Sequence, residues 1–375
     1  MKSSAFRRIL RIAGWNAGLV LVGLAGVELV FGHWFFGPNL GLLAIPRDVS
    51  IVHRLDYLPG RPIARYTRDS FGLRGTYGRP SDIDVIVVGG STTNELYVGD
   101  GETYVDVMRA ALAEAAEKAG KKPPVVVNAG VDGHSTVGHL RAFDVWFPRI
   151  PDLKPRWVVF YVGINDVFVD LQAEHDSTIS ETRGTLARLQ RYLKNQSALF
   201  ELHRIVVGSR KASRQRVVHG GADASTAFPQ FVDDAGIERR KAVLRAERRE
   251  ALRQYRSRVE GLVEKTRALG ARPIFVTQRR GDVRFRGQGV RSGMAGASAN
   301  AIDDQLLLEN IGDVTLDVCA AMAVACVDLG RELRFENGDF YDTVHVTPSG
   351  AKKIGIYLGR RIAPVILGQE APAGR

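Results

Sequence analysis

Asp84-Val85-Ile86-Val87-Val88-Gly89-Gly90-Ser91-Thr92-Thr93-Asn94 is the stretch that decides how this chain folds. A run of β-branched residues ends in two glycines and a serine. Such a run reads as a buried strand. The glycines let the backbone turn closely at its carboxyl end, where open α/β sheets bind ligands. Alone, Ser91 reads more readily as a turn or helix-capping residue. With a base and an oxyanion site elsewhere in the chain it becomes a candidate nucleophile.

Downstream, strand and helix patterns alternate. A helix is predicted over 103–119, where Val105, Met108, Leu112 and Ala115 keep helical spacing. A strand over 125–128, a glycine-bearing loop over 129–135 and a helix over 137–147 follow. The strand over 157–162 then runs into Gly163-Ile164-Asn165-Asp166. Further on, a helix over 251–269 precedes a strand over 273–277, a helix over 301–322 precedes a strand over 325–329, and the last helix spans 349–366. Five apolar strands joined by helical crossovers predict an α/β fold with a five-stranded parallel sheet covered on both faces. Residues 171–250 interrupt this rhythm as an insertion. It holds an apolar helix candidate at 197–207, a polar stretch at 209–234 that reads as a mobile loop, and a charge-dense helix at 238–256 running on into the next. A second loop, 279–300, is rich in Gly, Arg and Ser and reads as a substrate lid.

Upstream, Lys2, Arg7, Arg8 and Arg11 lead into a mostly apolar stretch over 12–36. Its length is near the ~20 residues that cross a bilayer. Asn16, Glu28 and His33 interrupt it, and a central carboxylate costs roughly 2.5–3.5 kcal/mol on insertion scales. The basic flank predicts a single-pass membrane anchor over 1–36, with the N-terminus cytoplasmic and the body periplasmic or extracellular. A cleaved signal peptide is the rival reading, although Gly23-Leu24-Ala25 makes a weak cleavage site. Residues 37–83 read as an irregular lead-in. Within it, Asp69-Ser70-Phe71-Gly72-Leu73-Arg74-Gly75 is a turn-rich segment that packs under the sheet or supplies Arg74 to a site. The main domain spans 84–366, and 367–375 form a tail.

Composition is that of a core-forming globular chain: 375 residues, 45% hydrophobic and 25% charged. The net charge of +11 is dispersed, and no nucleic-acid motif accompanies it. Attraction to membrane phospholipid or an anionic polymer accounts for it equally well, and an exported domain meets no nucleic acid. Cys319 and Cys326 fit neither a disulfide-rich scaffold nor a zinc site. Two separately buried thiols is the simpler reading, and a disulfide is the alternative in an oxidising compartment. The sequence fixes no oligomeric state.

Four loops carry the residues that acyl transfer requires. A serine hydroxyl needs an imidazole to take its proton, and the imidazole needs a carboxylate to hold its tautomer. In Asp342-Thr343-Val344-His345 the two groups stand three residues apart, within reach of one turn. The tetrahedral oxyanion needs donors, and the N–H groups of Ser91 and Gly133 with the Asn165 amide are suited to it. Asp166 reads as a structural capping residue. Thr92, Asn94, Asp132 and His134 read as orienting the loops. Thr92, Asn94 and His134, together with Gln278 and Arg279 at the end of the fourth strand, are the candidate substrate contacts.

Ser91, Gly133, Asn165 and His345, in this order and these loop contexts, resemble the SGNH hydrolases, also called the GDSL esterase/lipase family. Gly163-Ile164-Asn165-Asp166 is similar to the family's third block and Asp342-Thr343-Val344-His345 to its fifth. The resemblance covers residues 84–366. Phe71-Gly72-Leu73-Arg74 and the anchor resemble a membrane-anchored bacterial branch. One departure stands out: the Gly-Asp-Ser-Leu signature reads Gly89-Gly90-Ser91-Thr92 here, keeping the nucleophile and losing the carboxylate before it. That bears on substrate more than on hydrolysis. The resemblance implies a three-layer flavodoxin-like fold, a sheet in the order 2-1-3-4-5, no metal or cofactor, and ester or acyl substrates. The resulting expectation is an anchored serine esterase acting on O-acetyl or short acyl esters, with an acylated envelope glycan as substrate. An O-acyltransferase passing the acyl group to a sugar hydroxyl is the near alternative. A non-catalytic glycan-binding scaffold is the farther one.

Overall fold

The five apolar runs lie side by side in one parallel sheet. The computed structural model describes residues 2–32, 34–35, 43, 45–55, 63–168, 230–286, 289–292 and 300–368, and between them 186, 190, 193, 196–200, 202, 203 and 206. The chain divides into two compact units, one of Met1–Leu42 with Ser180–Val218 and one of Leu43–Ile179 with His219–Arg375.

The first unit contains helix α1 (Lys2–Phe31). Its Arg11–Phe31 portion, 21 residues, is long and apolar enough to cross a membrane. In the expected 197–207 helix, residues 198–200, 202, 203 and 206 are helical.

The second unit opens with an antiparallel hairpin of β1 (Val49–Arg54) and β2 (Ile63–Arg68). The sheet strands are β3 (Val85–Gly89), β4 (Val126–Gly130), β5 (Trp157–Tyr161), β7 (Arg272–Val276) and β10 (Ala325–Val327). They lie in the order β10-β7-β5-β3-β4, which is the expected 2-1-3-4-5. β3, β4 and β5 are buried at every position, as a sheet covered on both faces requires. The crossovers are α2 (Ser91–Asn94), α3 (Tyr104–Lys118), α4 (Thr136–Val145), α5 (Asp234–Glu247), α6 (Arg249–Ala268) and α7 (Ala301–Met322). The short α8 (Leu329–Glu332) and the final α9 (Pro348–Ile366) complete the fold. One face of the sheet, with Val85, Val87, Val159 and Ile274, packs against Met108 and Leu112 of α3 and Ile354 and Leu358 of α9. The other face carries Phe160 stacked on Phe275 at 4.7 Å, with Phe143 of α4 against Phe160.

Four features differ from the sequence reading. The lead-in over 37–83 contains the β1–β2 hairpin. In β2 the buried positions are Ala64, Tyr66 and Arg68, so an inward-facing arginine breaks the apolar alternation that marks a strand. The 279–300 loop contains β8 (Val283–Arg286) and β9 (Gly289–Ser292), which pair with β6 (Gln230–Asp233) in a three-stranded antiparallel sheet. The charged helix at 238–256 does not run on: Arg248, at φ −102° and ψ 19°, divides α5 from α6. Cys319 and Cys326 are bonded, with their Cα atoms 6.2 Å apart. The chain reverses at Ala323, which takes a left-handed φ of 52°, and this brings β10 back alongside the last turn of α7. The polar stretch at 209–229 and the tail at 369–375 lie outside the described residues.

Candidate active site

β3 is flanked by β4 on one side and β5 on the other, so the loops leaving all three strands meet at one carboxyl edge. The chain order reverses here, the point at which open α/β sheets form their crevice. At the end of β3 the backbone turns at Gly90, which caps α2, and Ser91 is the first residue of that helix. A Cβ on Gly90 would press on Asn165 Nδ2 and on the His134 carbonyl. Glycine is therefore what lets the loop after β5 close onto the Ser91 turn. In the loop after β4, Gly133 takes a φ of +75°, a left-handed conformation that side chains resist. Asn165 Nδ2 donates to His134 O at 2.8 Å and ties the two loops together.

The residues after β10 complete the site. Asp342 Oδ1 accepts the backbone N–H groups of Val344 at 2.9 Å and His345 at 2.6 Å, which folds the loop around the carboxylate. Asp342 Oδ2 lies 2.6 Å from His345 Nδ1, and His345 Nε2 lies 2.8 Å from Ser91 Oγ. The Tyr341 ring stacks on the imidazole, 5.7 Å between centroids and 11° between planes. Tyr341 N donates to His345 O at 3.0 Å, and a bridge between Phe340 and Val346 closes the loop. Burial by itself raises the Asp342 carboxyl. The charge and hydrogen bond of His345, with the two backbone N–H groups, outweigh burial and hold it below the ordinary carboxylate range.

The five residues expected to touch substrate are all buried, and Thr92, Asn94, His134 and Gln278 bond to other parts of the protein. Gln278 Nε2 donates to Thr92 Oγ1, and Gln278 Oε1 accepts from Ile164 N at 2.7 Å. Asn94 Nδ2 donates to Asp132 Oδ1 at 2.7 Å, and Asn94 Oδ1 accepts from Tyr66 and Arg68. His134 Nε2 is 2.7 Å from Leu43 O. Arg279 is 5% exposed, and burial, with the charges of Arg284 and Arg334, lowers its guanidinium to about 10. Thr92, Asn94, His134 and Gln278 thus support the loops from within. Asp166 is structural as well, accepting from Thr136 N and Oγ1 at the start of α4 and pairing with Arg258.

Two arginines from the lead-in hold the Ser91 turn from behind. Arg68, 3% exposed, donates to Tyr66 Oη, to Asn94 Oδ1 and to the carbonyls of Gly72 and Gly130. Arg74 caps the carboxyl end of α2 at the carbonyls of Asn94 and Glu95, reaches Val98 O, and pairs with Asp100 at 2.8 Å. Arg74 had a sequence signal in the turn-rich Phe71-Gly72-Leu73-Arg74. Arg68 and Tyr341 had none of their own.

No curated protein matches the chain. Among solved structures it is similar to LAE5, an alpha/beta hydrolase enzyme from the metagenome of Lake Arreo, with 14% identity, a TM-score of 0.41, and coverage of 80% of this chain and 100% of that one. A mutant of Axe2, an acetyl xylan esterase from Geobacillus stearothermophilus, aligns at 16% identity and a TM-score of 0.39, over 78% of this chain and 97% of that one. A lipase/acylhydrolase from Enterococcus faecalis aligns at 15% identity and a TM-score of 0.40, over 78% and 100%. The family model of the GDSL-like lipases and acylhydrolases matches residues 87–353, from the middle of β3 into α9. With the fold and these loops in place, that match over most of the chain makes this protein a member of the GDSL-like lipase/acylhydrolase family.

Proposed function

We propose that this chain is a membrane-anchored, extracytoplasmic serine esterase that hydrolyses O-acetyl or short acyl esters through Ser91, His345 and Asp342. The observation that carries the reading is the relay of 2.6 Å from Asp342 Oδ2 to His345 Nδ1 and 2.8 Å from His345 Nε2 to Ser91 Oγ. In this mechanism Ser91 Oγ attacks the ester carbonyl as His345 Nε2 takes its proton. Asp342 holds the imidazole with Nδ1 protonated and stabilises the imidazolium. The N–H groups of Ser91 and Gly133 and one proton of Asn165 Nδ2 receive the oxyanion. The other Asn165 proton is already engaged by His134 O, which fixes the plane of the amide. His345 then returns its proton to the departing alcohol, and water, deprotonated by the same imidazole, releases the acyl group.

Two observations support the location. Arg11–Phe31 follows a basic segment and has the length of a membrane span. The Cys319–Cys326 bond belongs to an oxidising compartment. An enzyme anchored there faces the acylated polysaccharides of the cell envelope, which are the proposed substrates.

The test is p-nitrophenyl acetate hydrolysis by the full-length chain in detergent, beside Ser91→Ala and His345→Ala. Each variant is expected to lose at least ~10³ in kcat/KM while staying folded. Equal rates in all three would remove the esterase reading. Acetyl transfer to an added oligosaccharide without comparable hydrolysis would replace it by an acyltransferase.

A further inference from the structure

The apolar stretch of α1 carries one carboxylate, Glu28, in the last turn of the helix. Its oxygens accept hydrogen bonds from Ser197 Oγ at 2.6 Å, Trp34 Nε1 at 2.9 Å, Ala198 N at 3.0 Å and Leu199 N at 3.1 Å. Ala198, Leu199 and Phe200 are helical, and Phe200 N donates to Ser197 Oγ at 3.0 Å. Glu28 thus takes up the first free amides of a helical turn that comes about 170 residues later in the chain. Such a pairing answers two electrostatic demands together. A carboxylate near a bilayer needs donors, and the positive end of a helix favours an anion. Both partners belong to the same compact unit, Met1–Leu42 with Ser180–Val218.

The unit exposes apolar side chains on both of its parts. Leu19, Leu21 and Val22 of α1 are exposed, and so are Leu186, Leu193, Leu202 and Val206. Residues 186, 190, 193, 196, 202 and 206 are helical, and at the spacing of Leu202 and Val206 two side chains share one helix face. In the sequence Leu186, Leu193, Leu202 and Val206 are interleaved with Arg188, Arg191, Lys194 and Arg204, and Arg210 and Lys211 follow. Apolar residues alternating with basic ones are the composition of a helix that lies in the headgroup layer of an anionic membrane.

We infer that Leu186, Leu193, Leu202 and Val206 make a second membrane contact, lying in the bilayer interface beside α1, with the turn that begins at Ser197 latched to α1 by Glu28. The inference rests on the reading of α1 as an anchor. The bilayer is the occupant because it already surrounds the exposed side of α1, with which the exposed leucines share one compact unit. A carboxylate inside an otherwise apolar anchor then has a purpose: it fixes where the insertion meets the lipid.

The test uses the full-length chain in vesicles of phosphatidylcholine and phosphatidylglycerol that contain a spin-labelled lipid. With Cys319 and Cys326 bonded, an engineered cysteine is the only free thiol. A fluorophore is placed on Leu21→Cys, Leu193→Cys or Leu202→Cys in separate proteins. Lipid-borne quenching is expected at all three sites. Glu28→Ala is expected to abolish quenching at residue 202 and to leave it at residue 21, and Glu28→Gln, which keeps an acceptor oxygen, to retain most of it at both. Quenching at residue 21 with none at 193 and 202 would overturn the inference and leave the anchor standing. No quenching at residue 21 would overturn the anchor reading itself. Unchanged quenching at residue 202 in Glu28→Ala would overturn the latch.

Discussion

Gln278 and Thr92, 186 residues apart in sequence, are joined by a 2.8 Å hydrogen bond from Nε2 to Oγ1. The other end of the same amide accepts Ile164 N. One side chain just beyond β7 therefore spans the neighbour of Ser91 and the neighbour of Asn165. Gln278→Leu cuts both links and is expected to lower kcat by ~10–10² with little change in KM, because small misplacements at a reacting centre are expensive. Gln278→Glu keeps an acceptor for Ile164 N and should fall between the two. Wild-type kcat in the leucine variant would reduce Gln278 to packing.

Asn165→Ala should lose ~10²–10³ in kcat, the usual effect of removing one oxyanion donor. Gly90→Ala should approach the same loss by another route, since its methyl group displaces the Asn165 amide. Steady-state kinetics on both variants, with circular dichroism to establish folding, checks the pair. A fully active Gly90→Ala would mean that Asn165 does not work from its present position.

Arg68→Met removes a buried guanidinium and strands its acceptors on Asn94, Gly72 and Gly130. Leaving a buried acceptor without its donor costs about 1–3 kcal/mol, so the variant is expected to be destabilised by at least that much. Arg68→Lys should rescue little, because a single ammonium cannot reproduce the planar fork. Urea unfolding of the three proteins gives the comparison.

His139 in α4 is 2% exposed, and burial, with the charge of His134 adding to it, pushes its imidazole well below 6.5. The folded chain keeps this ring neutral, whereas the unfolded chain takes up a proton below about 6.5. The stability it contributes is thus fully present above that pH and is lost as pH falls toward the lowered folded value. His139→Gln should flatten this acid limb. The Tm difference between wild type and variant, followed from about pH 7.5 to 5.5, should shift in favour of the variant.

The sheet strands were legible because they are buried on both faces, so each shows as an unbroken apolar run. Ser91, Asn165 and His345 were legible as candidates because each follows a local pattern, a strand end or a short loop. Gln278 and Arg68 were visible as residues but not as supports. Their work depends on Thr92, Ile164, Asn94 and Gly130, which lie far away in sequence. The β1–β2 hairpin was hidden for a related reason, since the inward position of β2 that matters most is a charge. The disulfide depended on a reversal at Ala323, where no glycine announces a left-handed turn.

Ser91 follows the first strand of the sheet, and His345 arrives just before the last helix, 254 residues later. On the proposed triad this spacing acts as an interlock. A chain that stops short of residue 345 has its nucleophile and no base, however well its earlier strands pair. Hydrolysis begins only when α9 docks beside α3 and swings the last loop over the first. Catalytic output would then double as a certificate that the chain from β3 through α9 has folded as one.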